Sequence, residues 1–204
     1  VRQIYQSLQN RKSELMGHQN LSKYAVMVPL VELDGELNVL FEERSHHLKR
    51  QPGEICFPGG KIDAGDEHAL AAAIRETCEE LGLDRGHIEP IGPLDYIINP
   101  FHIVYPYVAR ISGYDQIRAN PDEVASLFCV PLEYLREYTP ELHWVDFHAA
   151  PRDNFPFDHI PNGRNYKWKT GTVPEYFYYY ENRIIWGLTA RILHHFLDLT
   201  KPQQ

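Results

Sequence analysis

Arg75 is followed by Glu76, Glu79 and Glu80, which places a guanidinium and three carboxylates within a turn and a half of one helix. Two carboxylates about 5 Å apart repel by roughly 3 kcal/mol at an effective dielectric near 20, so helix stability alone does not recommend this grouping. A cation reverses the sign. Oxygen-only ligands on a rigid helix suit a hard divalent ion that keeps water positions open for a phosphate oxygen. Mg²⁺ is the expected ion, with Mn²⁺ second. Arg75 is expected to hold a carboxylate in place. A run of acids is more often a solvated helix face, so the weight rests on what surrounds it.

The acids belong to a loop, helix, loop pattern. Gly59-Gly60 allows close backbone approach and offers a carbonyl to the same ion. Asp66 is the expected N-cap of a helix running from about His68, with Glu67 at the positive end of its dipole and Gly82 as its left-handed stop. Leu70, Ile74, Thr77 and Leu81 recur at helical spacing and predict the packing face, with Glu76, Glu79 and Glu80 on another.

Upstream, residues 24–33 and 37–43 are apolar and β-branched runs joined by Asp34-Gly35, a hairpin signal. Strands are expected near 91–98, 103–111 and 124–130, a short helix over 131–138 and a longer one over 184–199. Residues 2–15 suit a short amphipathic helix capping the domain edge, and residues 139–171 an ordered loop extension. Tyr176 to Tyr180 reads as a strand carrying aromatics on both faces. Helix and strand signals mix without a βαβα rhythm, which predicts an α/β (α+β) fold, a sandwich with a mixed sheet.

The chain has 204 residues, so one domain spanning 1–204 is expected, with a core over about 22–138 and an extension plus closing helix over 139–204. Lys+Arg total 20 against 28 Asp+Glu, a net charge of −8, which argues against a surface that grips nucleic acid. No apolar run approaches the roughly 20 residues of a membrane helix, and the amino terminus lacks a basic-then-apolar leader layout. Three cysteines without a CxxC pair disfavour disulfides and a zinc site. The expected compartment is cytoplasmic; the final residues, Lys201 to Gln204, do not spell a peroxisomal tripeptide. A homodimer is compatible with the sequence.

Gly60, Glu67, Arg75, Glu76, Glu79, Glu80, Gly82 and Leu83 together resemble the signature of the Nudix hydrolases. Fourteen residues separate Gly60 from Arg75 where the usual pattern has thirteen, so either Asp66 or Glu67 is available for the early acidic position. Just before it, Arg44, Ser45, Leu48, Lys49, Arg50, Gly53 and Phe57 to Gly60 resemble the additional motif of the coenzyme A pyrophosphatase branch, from which Glu42-Glu43 and Gln51 depart. The resemblance covers about residues 22–135, and residues 185–193 are similar to the closing helix of that branch.

It implies a Mg²⁺-dependent hydrolase splitting the pyrophosphate of coenzyme A or a derivative into 3′,5′-ADP and 4′-phosphopantetheine. Glu76 and Glu80 are the expected metal ligands, with Glu79 and the Gly60 carbonyl beside them. Glu76, Glu79 and Arg75 form the catalytic set, and Arg44, Lys49 and Arg50 are a local counter-charge for substrate phosphates. ADP-ribose or NADH hydrolysis, or a module that senses such ligands without cutting them, are the alternatives. Glu123, in an Asn-Pro-Asp turn, is a further candidate ligand or base, equally suited to a solvated role. The adjacent histidine pairs and Cys56 are expected to be structural.

Overall fold

The structure is a computed structural model describing residues 1–201. A short helix α1 (Arg2–Leu8) buries no side chain, so it does not cap the domain edge as its amphipathic pattern predicts. Strands β1 (Ser22–Leu33) and β2 (Glu36–Arg44) follow, joined at Asp34 and Gly35 with φ of 51° and 83°. Paired positive φ values are the turn geometry that matches strand twist, as the Asp-Gly dipeptide predicts. Then come β3 (Ile55–Cys56), β4 (Gly59–Lys61) and helix α2 (Ala69–Leu81). Strands β5 (Ile88–Pro93), β6 (Ile97–Ile98), β7 (His102–Ile111) and β8 (Val124–Pro131) lead into helix α3 (Leu132–Glu137). The chain closes with β9 (Glu141–His148), β10 (Thr170–Tyr180), β11 (Arg183–Ile185) and helix α4 (Gly187–Leu199).

The main sheet runs β3-β2-β1-β7-β5, with β4 on β1, β6 on β7 and β8 on β2. β1 and β7 are parallel, from Ser22 opposite His102 to Val31 opposite Ile111, while the other pairings are antiparallel. The sheet is therefore mixed. Strand alternation divides its residues between two cores. Val28 and Leu30 of β1 and Val39 and Phe41 of β2 join Ala190, Ile192, Leu193 and Phe196 of α4 in one. Met27, Val31 and Leu40 join Ala72, Ala73, Ile74 and Leu81 of α2 in the other. Each fully buried large apolar side chain contributes about 1.5–3 kcal/mol, so neither helix is an optional attachment. The result is the α/β/α sandwich.

Two expectations need correction. The 139–171 segment is not all loop: β9 pairs antiparallel with β10, and Tyr176 to Tyr180 lies in that hairpin. Every β9 residue is exposed, so no apolar alternation toward a core announces the strand. Ile184 and Ile185 belong to β11, and α4 begins only at Gly187. Apolar spacing across residues 184–199 merges the strand with the helix because both feed the same core.

Gly82 ends α2 in the left-handed conformation at φ 62°, and a Cβ there would meet the Arg118 carbonyl oxygen at 2.1 Å. Arg118 and Asn120 donate their amides to the Leu81 and Glu80 carbonyls, so the 118–123 loop is tied to this helix end. Gly82→Ala is expected to lower stability by about 1–3 kcal/mol in urea unfolding, against less than about 0.5 kcal/mol for Gly86→Ala, where a Cβ meets nothing within 4 Å. Equal midpoints for the two variants would show that the helix stop bears no strain.

Candidate functional site

The site forms where α2 lies against β1, β4 and the inner end of β2. The N-cap of α2 is His68, not Asp66: its Nδ1 accepts from the Ala71 amide at 3.0 Å. Asp66 is thereby free for another task. Its carboxylate takes two bonds from Arg75, Nε to Oδ1 at 3.0 Å and Nη2 to Oδ2 at 2.9 Å. Glu67 makes no such contact, so Asp66 is the early acid that meets Arg75. Bonding to Arg75 holds the Asp66 carboxyl at about 2.

Arg75 is the fastener of the group. Besides Asp66 it donates Nη1 to Glu76 Oε1 at 2.8 Å and to Glu79 Oε2 at 3.3 Å, and Nη2 to the Lys61 carbonyl at 3.2 Å. One planar cation therefore joins the loop before α2, the end of β4 and two helix acids.

The three helix glutamates do not share one environment. Glu79 is 56% exposed. Glu80, in contrast, is 3% exposed and stands with Ala73 and Thr77 on the buried side of α2. Its Oε2 accepts from the Gly59 amide at 2.7 Å. Glu76 lies between these extremes, packed against Gly60, where an added Cβ would fall 2.2 Å from the carboxyl carbon. Burial raises the Glu76 and Glu80 pKa values above the ordinary carboxylate range, and neighbouring carboxylates raise them further. The glycine pair is thus placed by sterics: Gly59, at φ 153°, would set a Cβ 2.4 Å from the Ala25 carbonyl, and Gly60 leaves room for Glu76.

Two carboxylates arrive from elsewhere. Glu42, on β2, is 1% exposed, and its charge raises the Glu80 carboxyl, as does that of Glu76, one helical turn away. Glu123 lies on the loop tied to the end of α2, and its charge raises the Glu42, Glu76 and Glu80 carboxyls. Glu42 was not singled out in the sequence as a site residue. Its signal is the alternation of β2, which sets an ionisable side chain on the inward face beside Leu40.

Arg44 is half-buried, its Nε has no hydrogen-bond partner, and its charge lowers the Glu42 carboxyl. Lys49 and Arg50 are exposed on the bend between β2 and β3, and among the described residues neither forms an ion pair. The bend closes on itself through the Gly53 amide to the Arg44 carbonyl and the Arg44 amide to the Glu54 carbonyl, at 3.1 and 2.9 Å. Beside it opens a cavity of about 370 Å³ lined by Glu43, Gly53, Glu54, Asn182, Arg183 and Trp186. Cys56 is half-buried and donates to Glu42, and burial pushes its thiol far above the usual range, as suits a structural cysteine. His194 bonds the Tyr178 hydroxyl at 2.9 Å and stacks on Tyr176, a packing role.

Among the described residues, no three His, Cys, Asp or Glu side chains are gathered so as to hold a metal ion. Arg75 and the Gly59 amide each engage one oxygen of Glu76 and Glu80, respectively. The donor chemistry nonetheless fits a hard divalent cation: carboxylate oxygens at Glu76 and Glu80, mutually repelling and partly desolvated, with the Gly60 backbone pressed against one of them. Among the described residues no helix is long and apolar enough to cross a membrane.

The chain is 41% identical over 128 residues to peroxisomal coenzyme A diphosphatase NUDT7 of Mus musculus, covering 61% of this chain and 54% of that protein. It is 32% identical over 187 residues to Nudix hydrolase 3 of Caenorhabditis elegans, covering 89% of this chain and 74% of that one. The chain thus spans about half the length of the mouse relative and about three quarters of the nematode one. Among solved structures, a C. elegans Ap4A hydrolase binary complex aligns with a TM-score of 0.46 at 22% identity, over 56% of this chain and 82% of that one. The NUDIX domain matches residues 21–161, well over half of the sequence, and the chain belongs to the Nudix hydrolase family.

Proposed function

We propose that the protein is a Mg²⁺-dependent hydrolase that splits the pyrophosphate bond of coenzyme A or a derivative, releasing 3′,5′-ADP and a 4′-phosphopantetheine product. The observation that carries the reading is the meeting of two groups of opposite charge. A carboxylate cluster on α2 and β2 stands beside Arg44, which opens the bend bearing Lys49 and Arg50. The 41% identity to a protein named as a coenzyme A diphosphatase supports this substrate over ADP-ribose or NADH. We read all 204 residues as one domain, because α4 completes one of the two cores.

Nudix-fold proteins typically require a divalent metal. Glu76 and Glu80, with Glu79 and the Gly60 carbonyl beside them, are the residues that would hold it. Such an ion would supply charge neutralisation at the attacked phosphorus and would acidify a bound water. Arg75 bonds the Glu76 carboxylate and Glu79 at the solvent side, and on this reading Glu79 would accept a proton. Arg44, Lys49 and Arg50 draw in and orient the diphosphate and the 3′-phosphate. The cavity by the bend offers the Trp186 indole as a surface for the apolar part of a substrate.

Glu80→Gln preserves an oxygen acceptor for the Gly59 amide and removes a buried charge. It is expected to leave the melting temperature unchanged or higher while reducing Mg²⁺-dependent coenzyme A hydrolysis on the order of 10²-fold or more. Full activity in that variant would contradict the assignment. Wild-type protein that leaves coenzyme A uncut but cleaves ADP-ribose would replace the substrate.

The raised Glu76 and Glu80 carboxyls carry a second expectation. A carboxyl whose folded pKa exceeds its unfolded value stabilises the metal-free fold fully below the ordinary carboxylate range and loses that contribution as pH rises through the folded value. Metal ligation needs the charged form. Metal-free melting temperature should therefore fall between about pH 6 and about pH 8.5, and the increment from added Mg²⁺ should grow over the same interval. A Mg²⁺ increment that shrinks toward alkaline pH would contradict this linkage.

A further inference from the structure

The cavity beside the bend has two walls. One is the bend itself, Pro52 to Ile55, and the other is the turn from β10 into β11 with Trp186 after it. Arg44 borders this space: its amide and carbonyl bond the Glu54 carbonyl and the Gly53 amide of the first wall. At about 370 Å³ the cavity has the size of a small-molecule site. Its charged groups are already engaged. Glu43 accepts from the Ser126 hydroxyl at 2.8 Å, and Glu54 from the Gln51 side-chain amide at 2.8 Å. Arg183 donates to Glu181 at 3.2 Å and lies over the Phe128 ring, 4.4 Å from its centroid. The two carboxylates outnumber the one guanidinium, so an entering phosphate meets repulsion. The neutral groups are the free ones: among the described residues, neither the Asn182 carboxamide nor the Trp186 indole N–H has a hydrogen-bond partner within the protein. Trp186 is 43% exposed, and its ring is steadied by stacking on Phe177, 5.9 Å between centroids at 14°. An indole N–H on a fixed ring and a carboxamide that both donates and accepts suit an uncharged chain bearing amides or hydroxyls.

We propose that this cavity is the subsite for the uncharged, amide-bearing pantetheine arm of the substrate, with Asn182 and Trp186 as the residues that select it. The inference rests on the coenzyme A reading above. A diphosphate held by Arg44 has the cavity next to it, and the lining decides which of its two substituents enters. The nucleotide half carries a 3′-phosphate, which Glu43 and Glu54 oppose; Lys49 and Arg50, exposed on the bend, are its counter-charge. The pantetheine half carries amides and a hydroxyl and no charge, which matches the unengaged groups of the lining.

Calorimetric titration of the two halves separately, 4′-phosphopantetheine and 3′,5′-ADP, with Mg²⁺ present, tests this without turnover. Asn182→Ala and Trp186→Leu are each expected to weaken 4′-phosphopantetheine on the order of 5–10-fold and to leave 3′,5′-ADP within about twofold. In coenzyme A hydrolysis the same variants are expected to raise KM by a similar factor with kcat little changed. Asn182 is exposed in its turn, so its variant reports on binding even where loss of the indole disturbs packing on Phe177. Weakening confined to 3′,5′-ADP would overturn the proposal and give the cavity to the nucleotide half. Unchanged affinity for both halves, or a wild type that cleaves coenzyme A yet binds no 4′-phosphopantetheine, would overturn the subsite and leave the substrate reading standing. Wild-type protein that does not cleave coenzyme A would overturn both.

Discussion

Mutual repulsion among carboxylates crowded against the sheet is the constraint around which this end of the fold is arranged. Glu42, Glu76, Glu80 and Glu123 come from three separate elements: the charges of Glu42, Glu76 and Glu123 raise the Glu80 carboxyl, and that of Glu123 raises Glu42 and Glu76 as well. Every feature nearby bears on that repulsion. Arg75 spreads one cation over Asp66, Glu76 and Glu79. The Gly59 amide caps Glu80, and two glycines without side chains let the backbone come within reach. These compensations are partial. On the proposed function, a divalent cation would turn the remaining cost into binding energy and present an organised site to a diphosphate.

The same logic explains why so many ordered parts surround so few reacting groups. Helix α2 is positioned by Ala72, Ala73, Ile74 and Leu81 against Met27, Val31 and Leu40, which fixes where Glu76 and Glu80 stand. The opposite core, under α4, holds β2 and β3 from behind. Thr189 of α4 donates to the Ile55 carbonyl at 3.1 Å, linking that helix to the strand that leads into Gly59-Gly60. Packing far from the chemistry is thereby joined to it by one short path.

Much of this was legible in the residues because local rules decided it. Asp34-Gly35 encodes a hairpin, Gly82 a helix stop, and residues 69–81 a helix with a predictable packing face. The strand of mixed aromatics at 176–180 was equally plain. What escaped depended on distant partners. Asp66 looks like an N-cap in isolation, yet Arg75, nine residues later, competes for its carboxylate and His68 takes the capping role. Glu80 falls among exposed acids by type but lies inward because the helix phase places it with Ala73 and Thr77. β9 pairs along one edge only and buries nothing, so no periodicity marks it. Glu42 was visible as a charge in an apolar strand, but its burial between β3 and β8 emerges only in three dimensions.

Diffraction from crystals soaked in Mn²⁺, with anomalous scattering to locate the ion, tests the central claim most directly. The account predicts an anomalous peak in contact with carboxylate oxygens of both Glu76 and Glu80. A peak that engages neither residue, or no peak in crystals whose carboxylates keep their bonds to Arg75 and Gly59, would contradict it.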